Sequence, residues 1–202
     1  MKQVLIVLLL LLASCQNAHD FRSTENRVEQ ISQRYGTSWK QEQIPGITSP
    51  LATIDAHIQD TVDLRDQIQT QDSREKDVML LFLEARISML KAEKHYQQAR
   101  QLDPRPLAVI RTVGTDTQVD KTFVNNFSCD NRKEIAEATV FLDLSLDEAH
   151  TAINQLDLLM QKYPDTREIV GTNENRALFY RGALGQVWST SEINKLLLHK
   201  CV

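Results

Sequence analysis

Glycine and proline are scarce, 6 and 5 of 202 residues, each about 3% of the chain or less against the usual ~7% and ~5%. An all-β sandwich needs many turns, so this scarcity leaves little room for one and favours long helices. A basic excess is also missing: 23 Lys+Arg against 27 Asp+Glu leave a net charge of −4. Nucleic-acid binding needs a positive face to neutralise phosphates, so no nucleic-acid partner is expected. The uninterrupted apolar run from Val4 to Ala13 covers only about 15 Å as helix, half the ~30 Å hydrocarbon core, and cannot span it. Cysteines number only 3, none in a C-x-x-C. What is present is ordinary for one globular domain, with 42% hydrophobic and 25% charged residues.

Lys2 gives a short positive start before the Val4–Ala13 run, and small residues follow it. A charged start, a short apolar stretch and small residues make an export signal. The small residues sit in Leu12-Ala13-Ser14-Cys15, which resembles the lipobox of prokaryotic lipoproteins. The resemblance implies diacylglycerol on the Cys15 thiol and cleavage just before it, with Leu12, Ala13 and Ser14 read by the peptidase. It further implies a chain held to a membrane by lipid, on the outer face of the cytoplasmic membrane or on the outer membrane. Each buried CH₂ of such an anchor contributes about 0.8 kcal/mol, and two or three chains hold a protein stably on a leaflet.

Export bears on the two remaining cysteines, Cys129 and Cys201. Outside the cytoplasm an isolated pair is most simply a disulfide, with two free thiols or a redox pair as the alternatives. Such a bridge would tie the penultimate residue to the body of the domain.

Residues 1–14 therefore read as signal peptide, 15–23 as a polar tether and 24–202 as a single helical domain. Thr24 can cap a first helix with Val28, Ile31 and Tyr35 on one face and Gly36 at its end. Thr37 to Ser49 reads as loop. From Leu51 to Asp103 there is no Gly or Pro for 53 residues. Ser49-Pro50 is a helix start, and Leu51, Ile54, Ile58, Val62 and Ile68 mark an apolar side. Asp72-x-x-Glu75 has capping-box spacing and predicts a break. The next helix runs to about Leu102, and its first half is apolar all round, so it should be a buried central helix. Arg105 to Ser128 shows no sustained helix period and contains the glycosylation-type triplet Asn126-Phe127-Ser128. Asn131-x-x-Glu134 predicts another start, and Ile135, Ala138, Leu142, Leu146, Ala149, Ile153, Leu156, Met160 and Tyr163 form a stripe up to Pro164. Asn173 to Trp188 and a short stretch after Ser189, through Ile193, Leu196 and Leu197, close the set. The expected fold is an all-α bundle of five to six helices.

Ala92, Tyr96, Ala99 and Pro104 follow the spacing A-x₃-Y-x₂-A-x₄-P, which is similar to the second-helix half of a tetratricopeptide repeat. Ala152 to Thr166 looks like the end of such a repeat in envelope lipoproteins, and Asn175 to Gly185 like the start of the next. No 34-residue period recurs, so antiparallel repeat-like pairs and a generic bundle both stay open. The resemblance implies a scaffold for peptides or proteins, without catalytic residues.

No HExxH, GxSxG, P-loop or EF-hand loop is present, so an enzyme is not expected and no cofactor is implied. The weak candidates for metal are Asp143, Asp147 and His150, which share a helix face, since Asp-x-x-His spacing serves carboxylate–His ligation in bundles. A solvated helix face is the plain reading of the same three residues. Glu84 and Arg86 stand among apolar neighbours, as a buried ion pair, a helix-end contact or a ligand-contacting spot. The function expected is a non-enzymatic, membrane-anchored scaffold or protein-binding module in the cell envelope. The alternative is a small-ligand-binding accessory lipoprotein, for example of a transporter.

Overall fold

The computed structural model describes residues 22–37, 51–73, 75–102, 129–164, 187–188, 190–199 and 201. Among them are five helices and no strand, an all-α bundle. The signal segment, Cys15, the Arg105–Ser128 connection, Asn126 and most of the Asn173–Trp188 stretch lie outside the described residues.

Helix α1 spans 22–34. Residues 22 and 23 are already helical, so Thr24 is a buried residue within the helix and not its cap. Its end is as expected: Gly36 has φ 73°, the left-handed conformation that glycine adopts without penalty. The amides of Gly36 and Thr37 donate to the carbonyls of Gln33 and Ser32 at 3.1 Å each, the paired bonds of a Schellman stop.

Helix α2 (Leu51–Gln69) buries Ile54, His57, Thr61, Leu64 and Ile68. The 3-4-3-4 spacing of that stripe is what one packed helix face requires. It corrects the expected side, because Leu51, Ile58 and Val62 are only half-buried while two polar residues are fully enclosed. Thr61 fits because its hydroxyl donates to the His57 carbonyl at 2.9 Å. The break falls where expected, but the Ser73 hydroxyl is the side-chain acceptor there, taking the Glu75 amide at 3.3 Å.

Helix α3 (Lys76–Leu102) is the centre of the bundle. Every residue from Ala85 to Leu90 is buried, so the helix has no solvent face over that stretch. Phe82 and Leu83 are completely enclosed, and burial of such a side chain stabilises by about 1.5–3 kcal/mol. Three neighbours supply the cover. Helix α1 runs parallel to α3, with Thr24 against Met79 and Ser32 against Arg86. Helix α2 runs antiparallel, with Asp55 on Lys94 and Arg65 on Glu84.

The third neighbour is α4 (Arg132–Lys162), also antiparallel. Its Ser145 hydroxyl donates to the Ala92 carbonyl at 2.8 Å, and Lys91 faces Glu148 at 3.6 Å. Small residues at this crossing, Ala92 and Ala99 facing Ser145 and Ala138, let the backbones approach. Asn131 holds the N-cap position of α4 as expected, but its side chain makes no capping bond. Both long helices run unbroken through Ile87 and Leu146, where a 34-residue helical repeat would turn.

The last helix, α5 (190–199), returns along the start of α4. Cys201 and Cys129 lie at disulfide distance, with Cα atoms 5.2 Å apart. Closing a loop with sequence separation 72 restricts the unfolded chain by about 4 kcal/mol in the chain-entropy picture. Cys201 closely follows the described part of α5, so this clasp should matter to the retention of that helix. Reduction of the purified domain should lower its melting temperature, and Cys201→Ser should reproduce the loss without reductant. Non-reducing digestion and mass mapping checks the pairing itself. Separate, free Cys129 and Cys201 peptides from the exported protein would refute it.

Candidate functional site

The first polar concentration is inside the bundle, where the end of α1 meets α2 and α3. Arg86 is 2% exposed, and a buried guanidinium must be surrounded by acceptors to be tolerated. Its Nη2 donates to the Ser32 hydroxyl at 3.3 Å. Ser32 lies in the last turn of α1, whose carbonyl end carries partial negative charge, so a cation is well placed there. Glu84 is not its ion partner among the described contacts. That carboxylate turns outward to Arg65 at 3.2 Å, as a helix residue two positions away must point elsewhere.

His57 lies beside Arg86 and is fully buried. Its ring stacks on Tyr35 with centroids 4.8 Å apart and planes 15° apart. Burial, followed by the charges of Arg86 and Arg34, lowers its pKa to about 3. The imidazole is therefore neutral at neutral pH. Tyr35 in turn donates to Asp60 at 2.9 Å, and Arg34 reaches the same carboxylate at 3.2 Å. Burial and the Asp60 hydrogen bond raise the Tyr35 phenol above its ordinary value. The arrangement can staple α1 across α2 and α3. Near pH 7 its imidazole is neutral and its phenol protonated.

The second concentration is on the outer side of α4. Asp143 accepts from the Ser191 hydroxyl at 2.5 Å, and Lys195 lies 3.1 Å from the same carboxylate. That hydrogen bond raises the Lys195 pKa. Arg132 reaches the Cys201 carbonyl at 3.5 Å. Asp143 is thus committed to holding α5, while Asp147 and His150 are exposed. No cluster of three metal-ligating side chains occurs among the described residues. Of the three weak metal candidates, Asp143 is engaged by Lys195, and Asp147 and His150 stand on the exposed side of α4.

Four large apolar side chains of this part of the chain stand in solvent: Val140 and Leu144 on α4, Leu196 on α5, and Trp188, at 59%, 40%, 64% and 59% exposure. Val140 and Leu144 are neighbours one turn apart, and Leu196 follows Lys195 directly. Ser191 and Asn194 are buried with Leu197, and the bond to Asp143 turns the polar side of α5 toward α4. No helix among the described residues is long and apolar enough to cross a membrane.

No family model, curated protein or solved structure matches this chain.

The buried junction makes two predictions. An unfolded His57 titrates near 6.5, while the folded one stays neutral down to about 3. Between those values the unfolded chain binds a proton that the fold refuses, so stability falls as pH falls from about 6.5 toward 3. From pH 7 to pH 5 the contribution lost is about 2 kcal/mol. His57→Phe, which keeps a ring against Tyr35, should remove that share of the slope in urea unfolding at the two pH values. Parallel slopes in wild type and variant would exclude it. Arg86→Ala should cost about 2–4 kcal/mol, because it opens a cavity and strands buried acceptors. A loss below about 1 kcal/mol would mean that the guanidinium does not hold the junction.

Proposed function

We propose that this chain is a lipid-anchored lipoprotein of the cell envelope, whose helical domain is a non-enzymatic scaffold or binding module for a protein or peptide partner. The observation that carries the reading is Leu12-Ala13-Ser14-Cys15 behind a short apolar run. The Cys129–Cys201 pair at disulfide distance supports it independently, since such bridges persist in oxidising compartments and are rare in the cytosol. The partner-facing region in this reading is the rim of the α4–α5 clasp. Its exposed Val140, Leu144, Trp188 and Leu196 leave apolar surface in water, which marks an interaction site where it is contiguous, and Trp188 is of the type that anchors protein contacts. Asp143, Ser191 and Lys195 hold the two helices in one register beneath that rim, so the surface is presented without an ordering cost on binding.

Cys15→Ser should leave an unprocessed precursor of all 202 residues. Normal maturation and membrane retention of that variant would sink the lipoprotein reading. Crosslinking in native membranes followed by purification should recover one dominant protein partner. Leu196→Asp together with Val140→Asp should abolish that crosslink while leaving the melting temperature nearly unchanged, as both side chains are already in water. A crosslinked partner retained by the double variant would move the binding surface elsewhere, and recovery of no protein partner would favour a small ligand.

A further inference from the structure

We propose, on the reading that Cys15 carries the anchor, that the α2–α3 turn end of the bundle faces the phospholipid headgroups and the Cys129–Cys201 end points away from them. The inference rests first on the position of α1. Seven residue steps separate Cys15 from residue 22, the first described residue of α1, and at full extension they span at most about 25 Å. The start of α1 is tied to the turn end of the bundle. Thr24 touches Met79 in the first turn of α3 at 2.9 Å, and Arg27 reaches Gln67 near the end of α2 at 2.6 Å. The residues joining α2 to α3 are therefore held within one short tether of the leaflet.

The opposite end is set by the antiparallel packing of α3 and α4. Ala99 packs with Ala138 and Leu142, and the run from Lys76 to Ala99 covers about 35 Å of helix. Cys129 and Cys201 lie beyond that level, at the start of α4.

Beside its exposed Asp66, Asp72 and Asp77, the turn end carries an apolar edge. Leu80, Leu81, Met160 and Tyr163 are only partly buried there, packed on the edge of the core that Met79 and Leu159 close. Tyr163 has an apolar ring and a polar tip, the combination that settles at headgroup level. This orientation leaves the exposed rim of α4 and α5 on the outward half of the domain.

The test uses the full-length lipidated protein in phospholipid vesicles containing an acceptor-labelled headgroup lipid. A fluorescent amino acid replaces either Gln71, in the turn, or Glu137, near the start of α4; both positions are exposed. Flotation of the protein with the vesicles reads the anchor, and energy transfer to the acceptor reads the orientation. Transfer from position 71 should exceed that from position 137 several-fold. Equal transfer, as for a bundle lying flat, or the reverse order overturns the orientation while leaving the anchor intact. A protein that does not float removes the anchor reading and the orientation with it.

Discussion

A helix with no solvent face must be covered on every side, and that condition at α3 governs the rest of the domain. From Ala85 to Leu90 there is no exposed position, so α1, α2 and α4 each have to dock on a different side. The apolar residues of that stretch supply a non-directional drive for this. Arg86 adds direction, because its guanidinium needs acceptors at hydrogen-bonding distance and the end of α1 brings one in Ser32. An otherwise greasy contact is thereby given a register. The buried His57 stacks beside it and stays uncharged, which avoids two cations in one low-dielectric pocket.

The other end of the molecule is held differently. The inner face of α5 is partly polar, with Ser191 and Asn194 fully buried beside Leu197. Hydrophobic burial alone is a weak hold on such a segment. Asp143 compensates by accepting from Ser191 and pairing with Lys195, and the cysteine pair closes the end of the chain. The exposed ion pair itself contributes little, about 0–1 kcal/mol, so register is its main effect. The consequence is a domain with a densely packed middle and a tethered rim. The rim leaves Leu196 and Val140 in solvent.

Much of this was legible along the chain. The run without Gly or Pro, the breaks near Asp72 and Pro164 and the stop at Gly36 mark the helices, since each acts on its own backbone within a few residues. The central position of α3 was legible too, because a helix apolar on all sides has nowhere else to go. So was the pairing of Cys129 with Cys201, once Cys15 is assigned to lipid and no other cysteine remains. The polar parts of the packed faces were not. Apolar spacing points to Leu51, Ile58 and Val62 on α2, whereas the structure buries His57 and Thr61. Asp143 was read with Asp147 and His150 on its own helix, but its partners come from 48 and 52 residues away.

The amino-acid sequence by itself determined the helical class, the lengths of the long helices and which of them had to be central, because propensity, caps and periodicity are properties of neighbouring residues. Tertiary structure alone decided which polar side chains go inside and what they serve. A buried hydroxyl, imidazole or guanidinium is tolerated only where another element delivers the matching group. Ser32 to Arg86, Ala92 to Ser145 and Ser191 to Asp143 are separated by 54, 53 and 48 residues. Hydrogen bonds of a few ångströms cannot be read from a pattern local to one helix, and those three contacts give α1 and α4 their register on α3, and α5 its register on α4.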